Sequence, residues 1–256
     1  MPRTIVVLHG GLGNQLFQLF IGEALARTTR SELALYDGVL HRYAVPHVVE
    51  VGPLVPDLDR RLRLTLVERR LARARLPKAL ARLRGKEAIL RLGPLKLVDG
   101  YFQQDPARWG IPALVGCAIL EEWRARLRLP PPRAGTTLHH VRLRDFFRTP
   151  QEAEAHAERR VRAAGPGVFM SDDDGLLGRV LGRHGRHADL VPSAGGSAWE
   201  ALRMMAGFDT IETNGSTLAV WAALLAGGRI RTTVVGHAAF ARALGAAAEP
   251  ATAIRT

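Results

Sequence analysis

Four short stretches hold the side chains best suited to chemistry. The first is His9-Gly-Gly-Leu-Gly-Asn14-Gln15, directly after the apolar run Ile5-Val-Val-Leu8. Gly10, Gly11 and Gly13 let a ligand come close to the backbone, and a helix starting near Asn14 would aim its unpaired amides and positive dipole end at the turn. Asn14 and Gln15 add amide donors and acceptors that plain phosphate binding does not require. Leu16 stands where a dinucleotide fingerprint needs its third glycine, although Asp37, near the end of the next strand, imitates that fingerprint's ribose-binding acid. An oxidoreductase binding NAD or FAD is therefore one alternative.

The second stretch is His140-Val-Arg142-Leu-Arg144-Asp145. Strand alternation puts His140, Arg142 and Arg144 on one face, so an imidazole and two guanidinium groups would meet an anion there. The plainer reading pairs Arg142 with Asp145 as a structural ion pair. In the third stretch, Ser171-Asp-Asp-Asp174, carboxylates can accept from a ribose diol or from the amino and imino groups of guanine. The same run suits an Asp-x-Asp metal clamp, unless Asp174 caps the next helix. The fourth, Asn214-Gly-Ser216-Thr217, offers hydroxyls and free amides at a helix start, another place for phosphate.

Each stretch sits at a predicted strand end. A βαβ unit opens the chain, with strands at Ile5–Leu8 and Glu32–Tyr36 and a helix from Asn14 to Thr29 between them. A strand at Leu95–Val98 and a helix from about Pro106 to Leu129 follow, and Pro130-Pro-Pro132 stops regular structure. The predicted domain boundary lies there, dividing residues 1–130 from 131–256. Beyond it, strands at Thr136–Val141, Gly167–Met170, Asp209–Thr213 and Arg229–Val235 alternate with helices at 151–164, 174–183, 198–206 and 216–226. That alternation is the signature of a doubly wound parallel sheet.

Composition bounds the function. The chain has 256 residues, 47% of them hydrophobic and 23% charged, which fits a two-lobed α/β protein and excludes a disordered or fibrous one. A formal charge of +12 suggests an anionic partner, but only Lys78, Lys86 and Lys96 are lysines among the 36 basic residues. Arginine favours planar, bidentate phosphate contacts. One cysteine, Cys117, excludes an internal disulfide and fits a reduced compartment. Residues 60–86 place Leu64, Val67, Leu71 and Ala74 at helical spacing among arginines, with Pro77 splitting two helices. A basic amphipathic helix of that kind can lie on anionic lipid. With no leader and no apolar run long enough to span a bilayer, the expected location is the cytoplasm, with peripheral contact at the inner face of the membrane as an option.

Taken together, these pieces resemble the bacterial α-1,2-fucosyltransferases of glycosyltransferase family 11. That family's Gly-Gly-Leu-Gly-Asn-Gln-Leu-Phe-Gln stands intact at Gly10 to Gln18, and its Gly-Tyr-Phe-Gln at Gly100 to Gln103. Its Phe-Ser-Asp-Asp is similar to Phe169-Met-Ser171-Asp172-Asp173, with one inserted Met. Its His-x-Arg-Arg-x-Asp matches His140, Arg142 and Asp145, and its Ser-Thr-Phe-Ser-Trp-Trp-Gly-Ala resembles Ser216-Thr-Leu-Ala-Val-Trp221-Ala-Ala223. The second arginine of the family is Leu143 here, with Arg144 as the nearest substitute. The asparagine before Ser-Thr comes one place early as Asn214, so that Gly215 intervenes.

The resemblance implies a GT-B-like fold: two Rossmann-like lobes with a cleft between them, the acceptor-side lobe first and the GDP-fucose lobe second. It implies an inverting transfer with no metal or other cofactor, from GDP-fucose to a galactose-containing acceptor glycan. His140, Ser171, Asp172 and Asp173 would hold the guanosine end, Arg142 and the Ser216-Thr217 helix start the diphosphate, and the Gly10 to Asn14 loop the fucose and phosphates. Arg142 and Asn14 are the expected catalytic residues, with Gly10, Gly11, Gly13, Arg144 and Asp145 as further substrate contacts. No residue stands out as catalytic base; Glu152 is a guess. Besides the oxidoreductase, the alternatives are a metal-dependent transferase using another nucleotide sugar and a non-catalytic basic module for RNA or lipid, although no specific nucleic acid is expected.

Overall fold

The structure, a computed structural model, describes residues 1–43, 46–74, 88–144, 147–193 and 196–250. It divides into two units, Met1–Arg128 and Leu129–Thr256. Each is built of α-helices and a largely parallel β-sheet.

In the first unit, β1 (Arg3–Val7), α1 (Leu12–Thr28) and β2 (Glu32–Tyr36) form the βαβ unit that the sequence predicts. β4 (Leu95–Asp99) pairs with the other side of β1 in parallel, and β3 (Ala88–Leu92) pairs antiparallel with β4, giving the order β2-β1-β4-β3. Ile5, Val6 and Val7 are all fully buried because both faces of β1 are covered. Ile5 and Val7 pack in one cluster with Ala72, whereas Val6 faces α1, where a Cβ on Gly22 would collide with it. On its far side α1 meets α4 (Ala113–Leu127): the Phe20 and Trp123 rings lie edge to face at 6.0 Å, and Trp123 Nε1 donates to Glu23 Oε2 at 2.9 Å. A helix enclosed in this way is apolar nearly all round.

The predicted helix over 106–129 is interrupted. A 3-10 turn at Pro106–Trp109 closes on Gly110, whose φ of +72° lies in the left-handed region, and α4 starts only after Pro112. β3 carries no sequence alternation because it is half-exposed on both faces. In the arginine-rich region, α2 (Leu58–Arg61) and α3 (Leu66–Arg73) are short; a capping box between Thr65 and Glu68 starts α3. Pro77 and the second predicted helix lie outside the described residues. Among the described residues no helix is long and apolar enough to cross a membrane.

The second unit alternates throughout: β5 (Arg133–Val141), α5 (Pro150–Ala163), β6 (Val168–Ser171), α6 (Asp174–Arg183), α7 (Ala198–Ala206), β7 (Phe208–Thr213), α8 (Thr217–Ala226), β8 (Arg229–Thr232), α9 (Val235–Ala243) and β9 (Ala248–Pro250). All five strands are parallel, in the order β6-β5-β7-β8-β9. Val235, predicted to end a strand, instead begins α9; neither α9 nor β9 is visible in the alanine-rich sequence there. A row of charge crosses the sheet through direct register partners. His139 Nδ1 lies 3.0 Å from Glu212 Oε2, and Arg231 donates to Glu212 Oε1 at 3.1 Å and to Glu249 Oε2 at 3.3 Å.

Both sheets share one topological feature. The opening strand is flanked on one side by the strand that follows it and on the other by a later one, so the chain reverses direction across the sheet at β1/β4 and at β5/β7. Open α/β sheets bind ligands at the carboxyl ends of strands at such a reversal.

Candidate functional site

At the β5/β7 reversal the strand stops at Val141, and Arg142, Leu143 and Arg144 continue as irregular chain. The expected common strand face for His140, Arg142 and Arg144 is therefore corrected: alternation ends with β5. The cause is a set of side-chain bonds that take over the backbone. Asn214 Oδ1 accepts from the Arg142 amide at 2.9 Å and Asn214 Nδ2 donates to the Arg142 carbonyl at 3.2 Å. Asp172 Oδ1 accepts from the amides of Leu143 at 2.7 Å and Arg144 at 3.3 Å. Asp145 lies outside the described residues, and with it the ion pair to Arg142.

His140 is buried at the end of β5, and its Nδ1 has no hydrogen-bond partner among the described residues. Burial pushes its imidazole down to about 4, helped by the Arg142 charge and opposed by Asp172. Neutral at pH 7, it can donate or accept but brings no positive charge, which falls to the arginines. Ser171 Oγ donates to the Val141 carbonyl at 2.7 Å and accepts from the Asp173 amide at 3.0 Å, tying β6 to β5.

Asp173, not Asp174, caps α6, its Oδ1 accepting from the Leu176 amide at 3.0 Å. Asp174 instead accepts from both the amide and the hydroxyl of Ser193 at 2.7 Å through Oδ2. The three adjacent carboxylates thus hold three different stretches of chain. Among the described residues no group of three or more His, Cys, Asp or Glu side chains could hold a metal ion.

The fourth stretch closes the same edge. Ser216 caps α8 by accepting from the Ala219 amide at 3.3 Å, and its own amide donates to Thr213 Oγ1 at 3.0 Å. The Thr217 and Leu218 amides, in the first turn of α8, have no carbonyl within the helix to meet. Asn214 Nδ2 also lies 3.1 Å from His156 Nε2, and burial beside Arg160 and Arg159 pushes that imidazole down to about 4, leaving it an acceptor. Asn214 is 4% exposed, so its bonds are sheltered from water. Asn214→Ala is expected to cost about 2 kcal/mol for the two bonds to Arg142. The urea midpoint reads that loss, and an unchanged midpoint would show the clamp to be idle.

The first unit has its own cluster at the β1/β4 reversal. Gly10 adopts φ +64°, and a Cβ there would lie 2.6 Å from Asn14 Nδ2. Gly11 caps α1, which begins at Leu12, two residues ahead of the predicted start, so Gly13 and Asn14 fall in its first turn. Asn14 Oδ1 accepts from Gln103 Nε2 at 2.9 Å, joining the Gly10–Gln18 and Gly100–Gln103 stretches. Gln15 holds loops together, donating to the carbonyls of Gly10 and Val48 at 2.8 Å and accepting from the Glu50 amide at 2.9 Å. Gln18 Oε1 accepts from the His9 amide at 2.8 Å. The Glu50 carboxyl accepts from the Leu12 amide, yet burial still raises it above the usual carboxylate range.

Residues that the sequence reading missed line this edge. His9 and Asp99, each 1% exposed, pair through Nε2 and Oδ1 at 2.5 Å. Tyr43 OH lies 3.3 Å from His9 Nδ1 and 3.2 Å from Tyr101 OH. Histidine after the first strand and aspartate at the end of another were the available signals, but only the β1/β4 pairing brings them together.

No family model and no curated protein sequence matches the chain. Solved structures similar to it include fucosyltransferases. One is NodZ α-1,6-fucosyltransferase soaked with GDP-fucose, with 16% identity over 88% of this chain and 92% of the other and a TM-score of 0.46. Another is fucosyltransferase NodZ from Bradyrhizobium, with 16% identity, 88% and 93% coverage and a TM-score of 0.46. A third is the same α-1,6-fucosyltransferase co-crystallised with GDP, with 16% identity, 88% and 92% coverage and a TM-score of 0.43.

Proposed function

We propose that the chain is an inverting, metal-independent glycosyltransferase that moves L-fucose from GDP-fucose to a galactoside 2-hydroxyl in surface glycan synthesis. The observation that carries this reading is the interlocking of three strand ends of the second unit. Asn214, two residues before Ser216, clamps the backbone of Arg142, while Asp172 clamps the two residues after it. The motif residues that resemble family 11 are thus drawn to one sheet edge by each other's side chains.

In this reading residues 131–256 hold the donor and residues 1–130 the acceptor. Cleavage of the sugar–phosphate bond leaves negative charge on the β-phosphate, in a transition state with oxocarbenium character. Without a metal, Arg142 and the first-turn amides of α8 must meet that charge, and groups fixed before the reaction do so most effectively. Neutral His140, with its open Nδ1, suits the hydroxyl or base edge of the nucleoside rather than the phosphate. Asp172 keeps one oxygen for that task, and Asp173 borders it. Ser171 acts by position, since its hydroxyl proton is spent on Val141. Gly10, Gly11, Gly13 and Asn14 remain the proposed contacts for the sugar, and Thr217 and Arg144 for the phosphates. The proposed setting is the cytoplasm, where nucleotide sugars are made, with the arginine-bearing face of α3 toward anionic lipid.

Thermal-shift measurement tests the donor. GDP at a hundred times its dissociation constant is expected to stabilise the protein by about 2.7 kcal/mol, whereas UDP, ADP and NAD leave the midpoint unmoved. Stabilisation by UDP and not GDP would overturn the assignment. Transfer is expected to proceed at an unchanged rate in EDTA; loss of activity there would favour the Asp-x-Asp alternative.

A further inference from the structure

The buried His9–Asp99 pair lies at the β1/β4 reversal, outside every motif residue assigned above. We propose that Tyr101, Tyr43 and His9, held by Asp99, form a proton relay that deprotonates the acceptor hydroxyl, Tyr101 being the residue that touches it. The inference rests on the transfer reading above and names the base that reading lacks.

The proton positions follow from the partners. An ionised carboxylate can only accept, so Asp99 Oδ1 fixes the His9 proton on Nε2. In the neutral ring the other nitrogen, Nδ1, carries the lone pair facing Tyr43 OH at 3.3 Å, and Tyr43 can donate to it. The Tyr43 oxygen in turn accepts from Tyr101 OH at 3.2 Å. Tyr101 and Tyr43 are both partly exposed, whereas His9 and Asp99 are sealed off. The relay thus runs from a solvent-accessible phenol to a buried base, with the base oriented by a carboxylate, the arrangement by which a weak base is made effective.

The surroundings of His9 are few. Asp99 and Tyr101 reach it from β4 and the residues after it, the Tyr101 ring centroid lying 5.8 Å away. Tyr43 comes from the loop after β2, and beyond its ring are His47, at a centroid distance of 5.3 Å, and Glu50. Asp99 is the only carboxylate bonded to the imidazole among the described residues, and its Oδ2 is buried without a partner. A positive charge arising on His9 would therefore be met directly.

The step balances. The acceptor oxygen gives an electron pair to the anomeric carbon, and the carbon–oxygen bond to phosphate breaks with its pair retained by the β-phosphate. The acceptor proton passes to Tyr101 as the Tyr101 proton passes to Tyr43 and the Tyr43 proton to His9 Nδ1. The imidazolium then loses its proton along the reverse path to water after product leaves.

The test uses the full chain, with GDP-fucose as donor and lactose as acceptor, and GDP release followed against pH. Tyr43→Phe and Tyr101→Phe keep the packing and remove one hydroxyl each. Each is expected to lower kcat by a factor of about 10²–10⁴ while the KM for GDP-fucose and the thermal midpoint stay within error. Asp99→Asn, whose amide can donate to Nε2 and drive the proton to Nδ1, is expected to lower kcat similarly and to displace the rising limb of kcat against pH. Nitrogen NMR of the wild-type histidines is expected to show the neutral His9 ring as the Nε2–H tautomer. Both phenylalanine variants keeping kcat within threefold of wild type would overturn the relay, as would the Nδ1–H tautomer. Wild type that binds GDP yet releases none from GDP-fucose with lactose also overturns it. Failure to bind GDP refutes the donor reading instead, and the imidazole tautomer from NMR still decides whether the His9–Tyr43 link exists.

Discussion

Arg142→Ala is expected to lower kcat by roughly tenfold to over a hundredfold, the largest loss of any single substitution in the second unit. A charge-assisted hydrogen bond contributes about 1.5 to 3 kcal/mol, and each 1.36 kcal/mol of transition-state stabilisation is about tenfold in rate. Two bonds from Asn214 hold the backbone of Arg142, and truncating the side chain keeps both while it removes the guanidinium. Arg142→Lys keeps the charge but not the planar fork and is expected to recover part of the rate. Steady-state GDP release and GDP affinity check this together. Retention of full kcat by Arg142→Ala would move the leaving-group charge to other residues.

The second large effect is acid lability confined to the second unit. His140 and His237 are buried, and burial pushes both imidazoles down to about 4. An unfolded chain takes up protons on these residues as pH falls below about 6.5, whereas the folded chain resists until about 4. Their contribution is therefore whole above pH 6.5, declines through the interval and is gone by pH 4, at about 3 kcal/mol for each imidazole. Below pH 4.5 a further loss follows, because hydrogen bonds from His139 and Arg231 hold the Glu212 carboxyl down at about 2.

In the first unit the shifts oppose one another: arginines hold the Asp57 and Glu122 carboxyls below the usual range. Burial raises its Glu23 and Glu50 carboxyls, so acid relieves them. Calorimetry at pH 7.5 and 4.5 is expected to show the second unit's transition falling by roughly ten degrees or more while the first unit's moves little. A single transition at the same temperature in both buffers would refute it.

Sequence periodicity and punctuation make most of the fold legible. β1, β2 and β6 carry short apolar runs, and glycine or an N-cap residue marks most turns, so β2 and α7 fall where expected and the other helices of the second unit that were predicted within a residue or so. What escapes has a physical cause. β3 is a half-exposed edge strand without alternation, and the alanine-rich stretch of α9 and β9 offers no contrast between inner and outer faces.

At the site, sequence shows which residue types cluster at strand ends but not which are already spent. Ser171, Gln15 and one oxygen of Asp172 look like ligand contacts and are instead engaged with backbone. His9 and Asp99 stand 90 positions apart, and only parallel pairing in register makes them neighbours.

The row His139, Glu212, Arg231 and Glu249 acts as a checksum on assembly. Parallel strands meet only after long stretches of intervening chain, so mispairing is a standing hazard while such a sheet closes. Slide β8 by one position and Ile230 or Thr232 enters the row, stranding Glu212 and Glu249 without the cation between them. Misalignment thus leaves Glu212 with His139 alone and Glu249 without its cation, and the strand ends that carry the chemistry are brought level as a by-product of reading that code correctly.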